Sequence, residues 1–289
     1  MKFIDLFAGI GGFHTALHNI GGTCVFAAEW DKEARKTYEH NYKVHSPELF
    51  NSGNFIGDIT LVNPTDIPDF DILCAGFPCQ PFSQAGFKKG FSEVRGTLFF
   101  DIVKILKEKQ PQAFFLENVR HLLKHDDSKT FATIKRIIED ELGYSFHYRI
   151  VKASDFGLPQ HRARLFMVGF KDKTIDFKFP DPIPLEKTMS DIWGGDCPRK
   201  IGFTLRVGGK GSDINDRRNW DSYLVNGEVK RLGLEQGKAM QGFPSEFHFP
   251  VSNSQAMKQL GNSVAIPAIQ AVATNIKNAL QGTHNAERK

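Results

Sequence analysis

The sequence predicts an α/β protein built on a mostly parallel, doubly wound sheet, together with a second, smaller domain of mainly β structure and loops. Two observations support this prediction. The first 170 residues alternate short apolar runs with amphipathic segments of helical period, which is typical of strand–helix–strand units. From about residue 185 to residue 258 the chain is instead rich in glycine and polar residues and has no clear helical period.

Each apolar run is predicted to be one strand of the sheet, and the runs cover residues 3–6, 24–28, 71–75, 113–117, 146–151 and 164–169. Helical periodicity predicts helices over residues 31–41, 98–109 and 129–142. In an open sheet of this kind, ligands bind at the carboxyl ends of the strands.

Three prolines mark the boundary between the two parts of the chain. Pro180, Pro182 and Pro184 interrupt it within five residues. We therefore expect a catalytic and cofactor-binding domain over residues 1–180 and the smaller domain over 181–258. Residues 259–289 are expected to return to the first domain with a helix over 265–280 and a frayed end.

Composition restricts the function only loosely. The net charge of +4 and the pI near 8.8 permit nucleic acid binding without demanding it. No stretch approaches the apolar length of a membrane span, and the start of the chain does not read as a signal peptide. The four cysteines show neither metal-site spacing nor a disulfide framework, so a reducing cytoplasm is expected.

The most informative segment is GFPCQPFSQAG, residues 76–86. It places Cys79 just after a predicted buried strand, in a loop shaped by glycine and proline. A thiol at the carboxyl end of a strand lies where such sheets carry their chemistry. Taken alone, Cys79 is equally well read as a small buried hydrophobe.

A glycine-rich turn near the start of the chain indicates a nucleotide-type cofactor. The segment DLFAGIGGF, residues 5–13, reads as a strand, a glycine turn and the start of a helix. Glu29 ends the next predicted strand, where a carboxylate can bind ribose hydroxyls. These features serve NAD and S-adenosylmethionine equally well.

These motifs, with FLENV at 115–119, QHRAR at 160–164 and QLGNSVAIP at 259–267, resemble those of the cytosine-5 DNA methyltransferases, in the family's order. The resemblance spans nearly the whole chain and is weakest from 171 to 230. It implies a Rossmann-like S-adenosylmethionine-dependent methyltransferase sheet with a target-recognition domain, of the bacterial restriction–modification type.

The resemblance also implies a set of site residues. For the cofactor, S-adenosylmethionine, it implies Phe7, Ala8, Gly9, Ile10, Gly11, Gly12, Glu29, Trp30, Asp58, Ile59, Pro78, Leu98, Asn262 and Ser263. For catalysis it implies Cys79 as the nucleophile, Glu117 as the acid at ring nitrogen 3, Arg164 on the cytosine carbonyl, and Arg162 in organising the loop and nearby carboxylates. Because alternate residues of a strand face the same way, both guanidinium groups are expected in one site.

The implied partner is double-stranded DNA, from which the target base must be flipped. We expect Gln80 and Ser83 to occupy the vacated position, and Thr204, Arg206, Lys210, Arg217 and Arg218 to contact DNA. A cognate restriction endonuclease is expected as a functional partner, and a monomer would suffice.

Other interpretations stay open at this point. A tRNA cytosine-5 methyltransferase uses the same catalytic parts, and a non-catalytic DNA-binding regulator is the alternative from another class. Gln236 and Ala239 occupy positions where the family usually has an acidic residue and an arginine. In the family this motif braces the recognition domain, so the resemblance does not extend to those bracing contacts. His121 and His125 have no third ligand in evidence, so no metal is expected.

Overall fold

The protein is described here by a computed structural model, which covers residues 1–78, 98–208 and 211–286. The large sheet contains β1 (Lys2–Leu6), β2 (Thr23–Ala28), β3 (Phe55–Ile56), β4 (Ile72–Gly76), β5 (Ala113–Val119), β6 (His147–Lys152) and β7 (Ala163–Phe170). Their order is β3-β2-β1-β4-β5-β7-β6. The first five strands are parallel, and β7 runs antiparallel to both of its neighbours. The predicted α/β sheet is confirmed, and only the two-residue β3 was not predicted.

The helices are α1 (Gly12–His18), α2 (Lys32–Tyr42), α3 (Pro47–Asn51), α4 (Leu98–Lys109), α5 (Lys129–Arg136), α6 (Met189–Trp193), α7 (Leu234–Gln241), α8 (Asn253–Asn262) and α9 (Ile266–Ala286). A π-helical turn, Ile137–Glu141, continues α5. The last helix extends six residues beyond the predicted limit of 280, into the segment expected to fray. Among the described helices, none is long and apolar enough to cross a membrane.

Helices cover both faces of the sheet, as in a doubly wound fold. Successive side chains of β4 point to opposite faces. Cys74 is buried in the same cluster as Leu17 of α1 and Ile269 of α9, whereas Leu73 is buried in the cluster that contains Ile102 of α4. These helices cover the two faces of the sheet and leave the carboxyl ends of its central strands accessible to a ligand.

The smaller part of the chain contains a hairpin, β8 (Ser222–Val225) and β9 (Glu228–Arg231). Asn226 and Gly227 join its strands with positive φ angles of 51° and 80°, as the favoured two-residue hairpin turn requires. Helix α8 was not predicted and crosses the expected boundary at residue 258. Two short helices, α6 and α7, lie wholly within this region and were also not predicted. They are five and eight residues long, too short for a clear helical period.

Candidate active site

The turn that follows β1 is held against the end of β2. Phe7, Gly9 and Gly11 have φ angles of 56°, 56° and 83°. The backbone N–H of Gly9 donates a hydrogen bond of 2.7 Å to Oε2 of Glu29, and the N–H of Asp31 donates one of 2.7 Å to Oε1. Burial raises the pKa of Glu29, while these backbone donors act to lower it. The Glu29 carboxylate is thus fixed in orientation beside the glycine turn.

A cleft of about 610 Å³ opens at the carboxyl ends of the strands. Most of the predicted catalytic and cofactor residues line it: Phe7, Gly9, Ile10, Glu29, Trp30, Pro78, Leu98, Glu117, Arg162, Arg164 and Asn262. Trp30 is 73% exposed, so the face of its ring is available to a ligand. The topology therefore gathers residues that are more than 250 positions apart in the sequence into one cavity.

Four predicted cofactor residues, Ala8, Gly11, Gly12 and Ser263, are not among those that line the cleft. A Cβ atom on Gly12 would lie 2.5 Å from Cγ2 of Val264, so only glycine allows the turn to approach the segment after α8 this closely. The glycine turn is therefore packed directly against the residue that follows Ser263.

Asp58 and Ile59 also lie outside the cleft lining. The Asp58 carboxylate accepts hydrogen bonds from the backbone N–H of Thr60 at 2.9 Å and from its hydroxyl at 2.7 Å. It therefore caps the short helical turn that follows it. Ile59 is buried in the core beneath that turn.

Glu117 and Arg164 form an ion pair at the floor of the cleft. Strand register places Glu117 beside Gly76 at the end of β4, and Nε of Arg164 lies 2.9 Å from Oε1 of Glu117. Burial raises the pKa of Glu117, although Arg164 and Arg162 pull it down. A buried carboxyl that retains its proton to higher pH is suited to donate a hydrogen bond to a ring nitrogen.

Asn118 fixes the end of β4, which sequence analysis did not foresee. Its side-chain N–H donates to the carbonyl of Phe77 at 2.9 Å, and its oxygen accepts from the N–H of Val119 at 2.8 Å. Phe77 lies two residues before Cys79, so this contact fixes the segment that leads to the cysteine.

Arg162 is buried and binds backbone carbonyls. Its guanidinium donates to the carbonyl of Leu205 at 3.3 Å, to that of Gly261 at 3.2 Å and to that of Ser263. Leu205 belongs to the smaller part of the chain, and the other two lie at the end of α8. The guanidinium thus joins three separate segments through their carbonyls, and its charge also acts on the nearby Glu117 carboxyl.

Glutamine side chains extend this network toward α7. Nε2 of Gln160 donates to the carbonyl of Met240 at 2.7 Å, and its Oε1 accepts from the N–H of Leu205 at 3.1 Å. Gln241 donates to the carbonyl of Leu260 at 2.7 Å. Gln236, by contrast, accepts from the N–H of Gly233 at the start of its own helix. Bracing of α7 against α8 in this chain therefore includes Gln241.

Tyr42 supports the glycine turn and was also missed. Its hydroxyl donates to the carbonyl of Gly11 at 2.7 Å and lies 2.6 Å from Oγ1 of Thr15. Its ring stacks on His14 at a centroid distance of 4.0 Å. The sequence shows Tyr42 only as the last residue of an amphipathic helix. Its contact with the turn depends on how α2 packs on α1, which the sequence pattern does not reveal.

The residues predicted to contact DNA are placed as follows. The hydroxyl of Thr204 donates to the carbonyl of His161, and Arg206 and Arg217 are exposed. Arg218 is exposed but paired with Asp216, at 2.7 Å between NH2 and Oδ2. Four predicted site residues, namely Cys79, Gln80, Ser83 and Lys210, lie outside the described residues.

Metal-binding groups do not form a cluster in the described ranges. No set of three His, Cys, Asp or Glu side chains is arranged there to hold a metal ion. The rings of His121 and His125 are 6.3 Å apart, and Nδ1 of His125 lies 2.7 Å from Oγ1 of Thr130.

The sheet order, the glycine turn beside Glu29 and the cleft at the strand ends define an open α/β fold with a ligand site at the carboxyl ends of its strands. Comparison with solved structures supports this fold. A Spodoptera frugiperda DNMT2 mutant superposes with a TM-score of 0.71 at 19% identity, over 96% of this chain and 99% of that one. The Entamoeba histolytica methyltransferase EhMeth gives 0.71 at 16% identity, over 97% and 98%.

Sequence comparison identifies the family. The model of the C-5 cytosine-specific DNA methylases matches residues 1–206 and 199–278. The type II methyltransferase M.SsoII of Shigella sonnei is 42% identical over 96% of this chain and 80% of its own length. M.HhaI of Haemophilus parahaemolyticus, also a type II methyltransferase, is 39% identical over 97% and 95%. The chain belongs to the C-5 cytosine-specific DNA methylase family.

The protein is accordingly a DNA cytosine-5 methyltransferase, and its methyl donor is S-adenosylmethionine. The cleft fits this cofactor. Its volume lies in the range of small-molecule sites, and it combines a fixed carboxylate at Glu29, an exposed aromatic face at Trp30 and the backbone of a glycine turn. These are groups suited to ribose hydroxyls, an adenine ring and a charged amino acid end.

Proposed function

We propose that the protein transfers a methyl group to carbon 5 of a cytosine that it flips out of a short, specific double-stranded DNA sequence, through a covalent adduct of Cys79 at carbon 6. The observation that supports this most directly is the location of Pro78. It immediately precedes Cys79 and lines the same cleft as Glu117 and Arg164. We therefore expect the Cys79 thiol to meet a cytosine ring held by those two side chains.

The need for a thiolate follows from the chemistry of the ring. Carbon 5 of cytosine is too weak a nucleophile to attack a sulfonium methyl group directly. Addition of the Cys79 thiolate at carbon 6 moves electron density toward nitrogen 3 and the carbonyl oxygen and leaves an enamine, whose carbon 5 is nucleophilic. Bound S-adenosylmethionine supplies the electrophilic methyl group. Loss of the carbon 5 proton to a base, with cleavage of the carbon–sulfur bond, then restores the thiolate and the aromatic ring.

Glu117 and Arg164 stabilise the charge that develops in this step. The raised pKa of Glu117 favours a protonated carboxyl that donates a hydrogen bond to nitrogen 3. The Arg164 guanidinium, already held beside Glu117, polarises the cytosine carbonyl. Arg162 keeps the surrounding segments in register through its three carbonyl contacts.

For the cofactor, we propose that Glu29 binds the ribose hydroxyls and that Trp30 stacks near the adenine. The turn from Phe7 to Gly12 surrounds the methionine part, and Asn262 and Ser263 close the opposite side. Pro78 and Leu98 contribute walls. Asp58 and Ile59 are proposed to approach the adenine from the neighbouring turn.

For the DNA, we propose that residues 181–258 form the target-recognition domain, between a catalytic domain of residues 1–180 and the returning segment 259–289. Gln80 and Ser83 would brace the vacated base position. Contacts to bases and phosphates are assigned to Thr204, Arg206, Lys210, Arg217 and Arg218. The protein would act as a cytoplasmic monomer, functionally paired with a restriction endonuclease.

The test is transfer of a labelled methyl group from S-adenosylmethionine to unmethylated duplex DNA and, in parallel, to unmodified tRNA. We expect label at carbon 5 of cytosine in DNA, and none from the Cys79→Ala variant, which still binds the cofactor. Label on tRNA alone would indicate an RNA methyltransferase. Absence of label on both, with cofactor bound, would favour a regulatory protein, and turnover by Cys79→Ala would overturn the mechanism.

A further inference from the structure

A second cleft lies on the smaller part of the chain. It has a volume of about 620 Å³, and its lining includes His161, Arg199, Lys200, Phe203 and Asn215. We call it the basic cleft, since none of the described residues that line it is acidic. We propose that the basic cleft binds the phosphate backbone of the DNA duplex beside the flipped base, a proposal that rests on the DNA methyltransferase function argued above.

The cations of the basic cleft differ from their neighbours in having no carboxylate partner within the described ranges. Arg218 pairs with Asp216 at 2.7 Å, and Arg231 pairs with Asp221 at 3.3 Å. The ion pairs of the described residues include neither Arg199 nor Lys200, although both are exposed. Charge that is not already neutralised is the charge available to bind phosphate.

Arg199 is also positioned by an aromatic ring. Its guanidinium carbon lies 4.0 Å from the centroid of Phe203, a stacking distance that orders the group while leaving its N–H edge open. A guanidinium held in this way loses less conformational entropy when it binds a phosphate than a free arginine does.

The basic cleft shares a wall with the active site. His161 lines it, while Arg162, the next residue, lines the catalytic cleft. Gln160 forms a bridge with Gly202, and Thr204 bonds the carbonyl of His161, so the two walls are tied together. As consecutive residues, His161 and Arg162 have Cα atoms about 3.8 Å apart. This distance is similar to the spacing of about 3.4 Å between successive phosphates along the axis of one DNA strand. Because only one residue step separates the two linings, the proposal places phosphates of the same duplex at the basic cleft when the base lies in the catalytic cleft.

The chemistry of the cleft favours backbone contact over base reading. A guanidinium, an ammonium and an imidazole recognise any phosphate, whatever the sequence. Loss of these groups is expected to weaken binding uniformly across DNA sequences and to reduce its dependence on salt.

The experiment compares the wild-type protein with Arg199→Gln, Lys200→Gln and the double variant. All of them bind the same unmethylated duplex, which contains the sequence that the wild type methylates. The Kd is measured over a series of salt concentrations. Each lost phosphate contact is expected to reduce the slope of log K against log salt by about 0.9, so the double variant should lose about 1.8. Lys173→Gln removes the same charge after the far end of β7 and should keep the wild-type slope.

Methyl transfer by the same preparations separates the two proposals. If the wild type transfers no methyl group to DNA, the proposed function itself fails. If it does so, and the double variant keeps the wild-type salt slope, the basic cleft does not bind phosphate. A changed set of methylated sequences in the variants would also overturn the assignment, because it would indicate base reading. Should loss of Arg199 unfold the region around Phe203, Lys200→Gln alone still decides the question through a slope change of about 0.9.

Discussion

Nε of Arg164 lies 2.9 Å from Oε1 of Glu117, and the two side chains are only 17% and 10% exposed. Opposite charges this close attract, yet desolvation is the larger effect and raises the pKa of Glu117. The arginine therefore orients the carboxyl in the cleft and opposes the rise in its pKa that burial causes. In the proposed mechanism, this pair supplies a hydrogen-bond donor and a cation to the cytosine ring as negative charge develops on it.

Glu117→Gln is expected to slow methyl transfer by about 10²–10⁴-fold. An amide N–H is much less acidic than a carboxyl O–H, so it donates a weaker hydrogen bond to nitrogen 3 and cannot transfer a proton to it. The measurement is the single-turnover rate, with enzyme in excess over DNA and with saturating cofactor. The Kd for S-adenosylmethionine serves as the control and should stay near that of the wild type. A near-normal rate would remove Glu117 from this role.

The same residue predicts a pH dependence of stability. The pKa of Glu117 is higher in the folded protein than in the unfolded chain, so the folded state binds more protons between the two values. The free energy of unfolding should therefore fall as pH rises through that window. Urea unfolding at a series of pH values should show this contribution in the wild type and its loss in Glu117→Gln; equal slopes would contradict it.

Arg162→Met is expected to destabilise the fold and to weaken binding of both cofactor and DNA. The substitution removes the Arg162 donor from the carbonyls of Leu205 and Gly261 and one of the two donors of the Ser263 carbonyl, at a cost of about 1–3 kcal/mol for each buried carbonyl left unpaired. Urea unfolding and the two Kd values are the measurements.

Arg149→Met is the matched control, since Arg149 also donates to a carbonyl, that of Pro180, but at the surface. It should change the free energy of unfolding by no more than about 0.5 kcal/mol. A comparable loss in both variants would mean that the buried position of Arg162 is unimportant.

Tyr42→Phe is expected to raise the Kd for S-adenosylmethionine by about two- to tenfold while leaving kcat at saturating cofactor unchanged. The substitution keeps the ring stacked on His14 but removes the hydroxyl that bonds Gly11 and Thr15, a loss of about 0.5–1.5 kcal/mol in the support of the glycine turn.

Tyr38→Phe provides the comparison. Tyr38 lies on the same helix and is equally buried, but its hydroxyl bonds Nδ1 of His14 and no atom of the turn. It should lower stability without changing cofactor affinity. If both variants weaken cofactor binding equally, the effect belongs to the packing of α2 and not to the Tyr42 hydroxyl.

Much of the sheet and of the cleft could be predicted because their signals are local. The buried strands are apolar runs, and the residues at their carboxyl ends, such as Glu29 and Glu117, are placed by topology alone. The glycine turn likewise carries its own conformational signal at Gly9 and Gly11.

The contacts that sequence analysis missed depend on distant segments. Arg162 could be assigned to the site, but its carbonyl partners became visible only once residues 205 and 261–263 were seen to converge on it. The same holds for Tyr42 beneath the turn and for the ion pair between Lys258 and Asp31, at 3.2 Å. Such contacts arise from helix packing, which no local pattern encodes.

DNA in which the target cytosine carries fluorine at carbon 5 tests the proposed covalent adduct at Cys79 most directly. Fluorine cannot leave as a cation, so the adduct should persist after methyl transfer. We predict a stable protein–DNA complex with S-adenosylmethionine present, with the crosslink mapped to Cys79 by mass spectrometry and absent in Cys79→Ala. A wild-type enzyme that methylates ordinary DNA but forms no such complex would contradict the mechanism.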